Sequence, residues 1–292
     1  MHGSSRTATG RMAGAAVLAA ALTACATGAP GRAAPTGGGP APSASPTTAG
    51  TPARPDADAQ RQAAYWRAWH LTPLKPAPKP PAVPPVKLGG PGPIPVVSRI
   101  PTRDRVVFLT IDDGAEKDPR FVRMMRELKV PVTMFLTDAA IRPDYGYFTP
   151  LQRLGNTIQN HTLTHPDLPT LGAEAQRAEI CGQQQKLAKE YGTAPTLFRP
   201  PYGNYNAATL EAAKSCGIRA VVLWKESMQI TDMQYQTADR KLRPGDIVLA
   251  HFRGPAELKN HTMTEMFGSL LHRIQQQGFS VGRLDDYLGP PH

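Results

Sequence analysis

The sequence predicts an α/β fold with a mostly parallel sheet, on the basis of two observations. Short apolar runs alternate with longer segments of helical periodicity from about residue 98 onward. Such alternation of strands and helices is typical of a parallel sheet covered by helices. About seven strands are predicted, which is enough for a closed or nearly closed barrel. We expect one domain over residues 98–292, since a segment of this length suits a single core.

Strands are predicted from short apolar runs, and helices from apolar residues at helical spacing. The first strand contains four consecutive apolar residues, which indicates burial on both faces. In chain order the predicted elements are strand Val106–Ile111, helix Pro119–Leu128, strand Val132–Leu136, helix Pro150–Leu154, strand Thr157–Gln159, helix Ala173–Tyr191, strand Thr196–Phe198, helix Ala207–Cys216, strand Arg219–Leu223, strand Ile247–Ala250, helix Thr262–Gln277 and strand Phe279–Val281.

Residues 1–24 are predicted to be an export signal. Arg6 and Arg11 form its positive start, and Met12–Leu22 forms an apolar core too short for a permanent membrane helix. The segment Leu22–Cys25 resembles a bacterial lipoprotein cleavage box, which implies cleavage before Cys25 and a lipid on its sulfur. The alternative is a plain secretory signal. We therefore expect an extracytoplasmic protein that is lipid-anchored to the cell membrane, or a secreted one.

Residues 25–97 are rich in Pro, Ala, Gly, Thr and Ser, which predicts a disordered or polyproline-like tether before the domain. A short aromatic segment near 60–71 interrupts it, with Tyr65, Trp66 and Trp69 on one helical face. This face could pack on the domain, on membrane lipid or on a glycan. We prefer packing on the domain.

The formal net charge of +10 is concentrated before the domain. Residues 1–90 contain nine Lys/Arg and two Asp/Glu, whereas the remaining residues contain 24 and 21. A basic tether suits an anionic membrane or wall surface. The domain shows no basic helix or aromatic-basic platform, so we expect no nucleic acid partner. We expect a monomer.

The cysteines are consistent with export. With Cys25 lipidated, Cys181 and Cys216 remain. Outside the cytoplasm this pair can form a disulfide, and the alternative is two buried thiols. The sequence does not give the distance between them.

Four short segments carry residue types suited to hydrolysis, and each lies at the end of a predicted strand. In α/β barrels the C-terminal strand ends and the following loops carry the active site. Segments that are distant in sequence are therefore expected to converge. They are Thr110–Gly114, His161–His165, Arg199–Gly203 and Leu249–His251.

The first two segments together offer metal ligands. Asp112 and Asp113 follow a buried strand, where their desolvation needs compensation, although a turn is the ordinary alternative. His161 and His165 are four residues apart, and such a pair can also simply fill a surface loop. Thr162 stands where the helical zinc-protease pattern has its glutamate. One aspartate with two histidines suits a divalent metal with open positions, and the second aspartate is then free as a base.

The other two segments offer groups for charge stabilisation and proton transfer. Arg199 could pair with a carboxylate, and an amide of the turn after it could donate to an oxyanion. The alternative is a plain strand-to-turn transition. A lone histidine at a strand end is usually structural, but His251 is expected on the same barrel face as the other segments, which favours a proton donor.

In order and rough spacing, the four segments resemble the first, second, third and fifth motifs of the polysaccharide deacetylase family, carbohydrate esterase family 4. The similarity extends over about residues 103–288. It implies a distorted barrel of the (β/α)7 type and hydrolysis of N-acetyl groups on a glycan. It also implies a divalent metal, with Zn²⁺ as first choice and Co²⁺ or Mn²⁺ as alternatives.

The resemblance implies a role for each matching residue. Asp113, His161 and His165 would hold the metal. Asp112 would be the general base and His251 the general acid.

Two further residues would assist them. The backbone N–H of Tyr202 would stabilise the oxyanion, and Arg199 would orient Asp112. An amide is a poor electrophile and its amine cannot leave as an anion, so hydrolysis needs both a polarised carbonyl and a nearby acid.

The chain departs from the family pattern in three places. The segment Leu223–Met228 corresponds to the fourth motif but lacks the aspartate that would brace the arginine, and Glu226 and Asp232 are candidate substitutes. Ala115 replaces a proline after the first motif, and Gln159 replaces a glycine before the second. The missing aspartate bears on the tuning of base and acid more than on metal binding.

Two functions compete with an envelope deacetylase. The missing aspartate supports a catalytically weakened glycan-binding lipoprotein. An amidase acting on a small molecule is the other alternative, and a closed pocket rather than an open groove would favour it. Peptidoglycan is the preferred substrate because a tethered domain would be presented to the wall, with chitin-like glycans second.

Overall fold

The computed structural model describes residues 55–289. The predicted signal, Cys25 and the first part of the predicted tether lie outside this range. Its helices are α1 Pro55–Ala68, α2 Pro119–Leu128, α3 Asp138–Ile141, α4 Phe148–Arg153, α5 Ala173–Tyr191, α6 Ala207–Ser215 and α7 Met263–Gln276. Among these, no helix is both long enough and apolar enough to span a membrane.

The strands are short except for the one that carries the two adjacent aspartates. They are β1 Val86–Lys87, β2 Val96–Val97, β3 Val106–Asp113, β4 Thr133–Leu136, β5 Thr157–Asn160, β6 Leu197–Phe198, β7 Ala220–Val222, β8 Glu226–Met228, β9 Met233–Tyr235, β10 Ile247–His251, β11 Ser280–Gly282 and β12 Leu288–Gly289.

The main sheet is curled and mostly parallel, in the order β2-β7-β6-β5-β4-β3-β10-β8-β9, with β11 against the first part of β3. Only β8 and β9 pair in the antiparallel sense among these strands. The strand order is a path rather than a ring, because its two end strands, β2 and β9, do not pair in the described part of the chain. The predicted distorted α/β barrel is therefore confirmed, in an open form.

Alternate residues of β3 point to opposite faces of the sheet, as in any strand. Val107, Leu109 and Ile111 belong to the large apolar cluster between the sheet and its helices. Val106 and Phe108 belong to the cluster inside the curled sheet. The inner face at the C-terminal end of β3 is where the polar residues of the first motif emerge.

Local signals explain where the helices begin. Asp118 caps α2, because its side chain accepts a hydrogen bond from the Arg120 N–H at 2.8 Å, and Pro119 occupies the first helical position. Thr262 and Glu265 form a capping box at the start of α7. These two helices cover the same region of the core.

The structure includes residues 55–97 in the same compact unit as the domain, so the predicted tether does not extend over them. The preferred packing of the aromatic segment on the domain is confirmed. The aromatic segment lies in and directly after α1, and Trp66 is 5% exposed in the main core cluster. The Trp69 indole N–H donates to Glu127 at 2.6 Å. Farther along, β1 pairs with β12 and β2 pairs with β7. Composition misled here because a few large apolar anchors can order a proline-rich segment that needs no internal hydrogen bonds.

Candidate active site

Sheet register brings the four segments together. Asp112 pairs with His251 of β10 on one side and with Phe135 of β4 on the other. On the next strands, Asn160 precedes His161 and pairs with Phe198, the residue before Arg199. All these residues therefore sit at the C-terminal edge of neighbouring parallel strands, as the α/β pattern predicts.

Three side chains form a candidate metal centre. Oδ1 of Asp113 lies 3.4 Å from Nε2 of His161 and 3.4 Å from Nε2 of His165. The three candidate ligand atoms all lie within 4.8 Å of one another. Among the residues described, this Oδ1 is buried and accepts no hydrogen bond. A buried carboxylate oxygen without a partner is costly, and a cation would satisfy it, so these residues fit a divalent metal.

The orientation of the His161 ring supports this assignment. Its Nδ1 lies 2.7 Å from the carbonyl oxygen of Arg199. A carbonyl can only accept, so Nδ1 carries the proton and donates it. The neutral ring therefore has its lone pair on Nε2, on the side of Asp113, and can offer it to a cation there, as metal-binding histidines do.

The charges of the cluster are coupled. Burial would raise the pKa of Asp113, but His161, His251 and His165 outweigh burial and hold that pKa well below its usual range. Burial lowers the pKa of His165, and the neighbouring His161 lowers it further. Burial opposes the charged form of His161 as well, but Asp112 and Asp113 raise its pKa. The cluster thus keeps an ionised carboxylate ready for a cation.

Asp112 belongs to a separate buried network centred on Arg199. The guanidinium is 0% exposed and donates to Asp112 Oδ1 at 2.6 Å and to the Thr110 hydroxyl at 2.8 Å. It also donates to the carbonyls of Val222 at 2.8 Å and Leu223 at 3.2 Å. The arginine thus contacts the candidate base directly, and its role in orienting Asp112 stays a prediction.

Neither candidate substitute for the missing aspartate reaches Arg199. The Glu226 carboxylate accepts a hydrogen bond from the Gln236 N–H at 3.0 Å. Asp232 pairs with Arg240 and Arg273 on the surface. In the described part of the chain, backbone carbonyls and a threonine hydroxyl occupy the sides of the guanidinium that Asp112 leaves open.

His251 is the last residue of β10, with its ring half-buried beside the two aspartates. Burial lowers the pKa of His251, although Asp112 and Asp113 oppose this effect. Within residues 55–289 no side chain hydrogen-bonds to its ring. The candidate acid is therefore in position, but no partner within that range fixes its orientation.

Tyr202 stands at the rim of the site. Its backbone has a positive φ of 60°, and its N–H makes no hydrogen bond within the described residues. Its ring contacts the His165 ring edge-on at a centroid distance of 4.8 Å, and the residue as a whole is 63% exposed. A free backbone donor beside the histidines suits stabilisation of an oxyanion.

The two other departures have no direct place in the cluster. Gln159 Oε1 accepts the N–H groups of Thr196 at 3.0 Å and Leu197 at 2.9 Å, so this side chain joins β5 to the next strand. The carbonyl of Ala115 accepts a hydrogen bond from Lys117 Nζ at 3.1 Å.

The sequence did not single out some residues that shape the site. Asn160 Oδ1 accepts the Thr162 N–H at 2.9 Å, inside the histidine segment. Lys117 Nζ donates to the carbonyls of Gly114 and Ala140, each at 2.9 Å, and so ties the first motif to α3. No motif marks such residues, because their partners are backbone groups that become neighbours only in the folded chain.

Comparison with known proteins agrees with the fold and the motifs. A family model described as polysaccharide deacetylase matches residues 99–221. An uncharacterised protein of Streptomyces coelicolor is 47% identical over 195 residues, covering 66% of this chain and 77% of that protein. The peptidoglycan-N-acetylmuramic acid deacetylase PdaA of Bacillus subtilis is 26% identical over 199 residues, covering 64% of this chain and 73% of PdaA.

Among solved structures, a carbohydrate esterase family 4 pseudoenzyme from Bacillus anthracis has a similar fold. The TM-score is 0.55 at 20% identity, with 68% of this chain and 73% of that one covered. The chain has the curled α/β sheet of a carbohydrate esterase. It belongs to the polysaccharide deacetylase family, carbohydrate esterase family 4.

Proposed function

We propose that this protein removes acetyl groups from an N-acetylglucosamine-containing glycan by metal-dependent hydrolysis, with peptidoglycan as the first choice and chitin-like glycans second. The observation that carries the proposal is the buried, unpartnered oxygen of Asp113 between two histidine nitrogens. PdaA, by its name, deacetylates N-acetylmuramic acid in peptidoglycan, which supports the first choice.

Asp113, His161 and His165 would hold the divalent ion, with Zn²⁺ preferred over Co²⁺ and Mn²⁺ because mixed histidine and carboxylate sites suit zinc. When bound, such an ion polarises a carbonyl and lowers the pKa of water by several units. These two effects are what hydrolysis of an unactivated acetamide requires.

The chain's own groups then handle the protons and the charge. Asp112, held by Arg199, accepts a proton from the water that adds to the acetyl carbon. The Tyr202 N–H stabilises the negative charge that develops on the acetyl oxygen. His251 donates a proton to the nitrogen as the C–N bond breaks, which yields acetate and a free amine on the sugar.

The exposure of the site favours a polymer over a small molecule. The side chains of Asp113 and His165 are 23% and 26% exposed, and the Tyr202 ring stands out at the rim. A glycan strand can lie across such an open edge. A small-molecule amidase would be expected to enclose its substrate.

We further propose that the protein acts outside the cytoplasm, as a monomer lipid-anchored to the membrane through Cys25. The cleavage box and the basic, proline-rich segment after it support this location. The Cys181–Cys216 disulfide, with a Cα–Cα distance of 5.0 Å, is consistent with an oxidising compartment.

Acetate release tests the function directly. The full chain is incubated with peptidoglycan and with chitin oligomers, before and after chelation, and with Zn²⁺, Co²⁺ or Mn²⁺ restored. We expect release that chelation abolishes and at least one ion restores. The absence of release from every glycan with every ion would contradict the proposal.

A catalytically weakened glycan-binding protein is the second candidate. Two observations favour it: no second carboxylate contacts Arg199 in the described residues, and the His251 ring has no hydrogen-bond partner there. Retention on peptidoglycan without acetate release, for a protein that binds metal, would select this candidate.

A further inference from the structure

We propose that Glu179 of α5 is a positioning residue that holds the loop His161–His165 in the shape that lets both histidines face one ion. This inference rests on the proposed function in one respect, the presence of a metal ion between the two histidines. The conformation and contacts of the loop come from the structure itself.

The loop adopts a demanding backbone. Thr162 has a φ of 71° and His165 a φ of 60°, a region that residues other than glycine rarely occupy. Such conformations persist only where the surroundings hold them. Within the loop, the His165 N–H donates to the Thr162 hydroxyl at 3.1 Å, and Asn160 Oδ1 accepts the Thr162 N–H at 2.9 Å. The Thr162 and Leu163 carbonyls accept the N–H groups of Asp138 at 3.3 Å and Ala139 at 2.8 Å. None of these contacts holds Thr164, the residue directly before His165.

Glu179 supplies two contacts to the residue directly before His165. Its Oε2 accepts the Thr164 N–H at 2.8 Å, and its Oε1 accepts the Thr164 hydroxyl at 2.7 Å. Hydrogen bonds to an ionised carboxylate are among the stronger ones. With both groups of Thr164 fixed by one carboxylate, the backbone that enters His165 has little freedom to rotate.

The same face of α5 touches the loop at two more points, three and four residues further on. A Cβ at Gly182 would lie 2.5 Å from Leu163 Cδ1, so the glycine lets the Leu163 side chain pack directly against the backbone of α5. Gln183 Nε2 donates at 2.7 Å to the Leu136 carbonyl, which also accepts the His161 N–H at 3.2 Å. The helix thus underlies both histidines.

Glu179 has no competing role among the described residues. It forms no ion pair with a lysine or arginine there, and it does not contact the reacting groups. The helix that carries it is tied to the end of α6 by the disulfide between Cys181 and Cys216. Glu179 therefore contacts only this loop, from a helix that the disulfide holds in place, and these are the properties expected of a positioning residue.

The test is a Co²⁺ titration of the metal-free full chain, followed by visible absorption and calorimetry. The variants are Glu179→Ala, Glu179→Gln and Thr164→Val. The control is Glu190→Gln, which makes the same charge change at an exposed position of the same helix. We expect the Co²⁺ dissociation constant to rise about tenfold for Glu179→Ala, less for the other two, and not at all for the control.

Dissociation constants for Glu179→Ala within twofold of the wild-type value would overturn the inference. If that variant does not fold, Thr164→Val and its combination with Glu179→Gln decide the matter. Non-additive losses in this pair support a direct contact, and fully additive losses or none contradict it. A wild-type chain that does not bind Co²⁺ would instead overturn the proposed metal site, and this inference with it.

Discussion

The two sides of the site are built differently. On the side of the candidate metal centre, His161 is 2% exposed and its ring is fixed by the Arg199 carbonyl, while Asp113 and His165 adopt positive φ values of 73° and 60°. On the opposite side, His251 ends a regular strand, and its ring has no hydrogen-bond partner within residues 55–289.

The difference shows that the fold constrains the candidate metal ligands more than the candidate acid. The positive-φ backbone of Asp113 and His165 and the fixed tautomer of His161 cost free energy, and they hold three ligand atoms close together. No such constraint acts on the ring of the candidate acid within residues 55–289. The fourth-motif aspartate that this chain lacks would contact Arg199, on the side of the proton-transfer groups. Its absence should therefore lower turnover and leave metal affinity intact.

The largest effect is expected from His165→Ala. Loss of a ligand should abolish both metal binding and acetate release, by at least about a thousandfold, because a metal ion contributes several kcal/mol to such a reaction. Metal content and acetate release are measured together. The control is His272→Ala, which removes an exposed histidine on α7. A His165→Ala variant that keeps both metal and activity would show that His165 is not a ligand.

Asp112→Asn should separate the two sides. Turnover is expected to fall about 10²- to 10⁴-fold while metal binding is kept, because the amide cannot accept the proton from water. The buried Arg199 loses its counter-charge, so a lower Tm is also expected. Calorimetric metal titration, acetate release and a thermal melt are compared with those of Asp104→Asn. Full activity would remove Asp112 as the base.

His251→Gln tests the less constrained side. Turnover is expected to fall about a hundredfold or more, with unchanged metal affinity, since general acids contribute about this much. Steady-state kinetics should show the loss in kcat rather than in KM. An unchanged kcat would mean that another group protonates the amine and would favour a different acid.

A smaller effect is expected when the disulfide is removed. The double variant Cys181→Ser, Cys216→Ser should lose about 2–4 kcal/mol in the free energy of unfolding, as measured by urea denaturation. The wild-type protein under reducing conditions should behave in the same way. A metal affinity that also weakens would place the helix α5 among the supports of the metal side, and an unchanged stability would show that packing alone holds α5 to α6.

The smallest expected effect is a change in thermal stability at Glu226, which belongs neither to the candidate metal centre nor to the proton-transfer groups. Burial raises the pKa of this carboxyl to about 7, so the folded chain keeps a proton that the unfolded chain releases near the ordinary carboxyl value. Its stabilising contribution is thus present at low pH and lost as the pH rises from about 4.5 to about 7.

Glu226→Gln should therefore raise the Tm at pH 8 by a few degrees and leave it nearly unchanged at pH 4, since ~1 kcal/mol corresponds to about 2–4 °C for a domain of this size. Melting curves across this range provide the measurement. Acetate release should be unaffected, and a large loss of activity would return Glu226 to the catalytic network.

Much of this arrangement was predictable from the sequence. Apolar runs and helical spacing predicted a set of elements within a few residues, because burial period and local propensity act over short stretches. They are the strands β3, β4, β5, β6, β7, β10 and β11 and the helices α2, α4, α5, α6 and α7. The position of the motifs after strands predicted one shared edge of the sheet. The strands β8 and β9 were not predicted, because each has only three residues and polar residues interrupt the apolar pattern.

What the sequence determined by itself was the kind of chemistry: which residue types follow which strands, and in what order. Only the tertiary structure decided how those residues are supported. It placed Glu179 under Thr164, turned the Arg199 carbonyl toward His161, left Glu226 apart from the arginine and drew residues 55–97 into the domain. The reason is physical, since these contacts join groups far apart in the chain, and their energies arise only after the sheet has curled and excluded water.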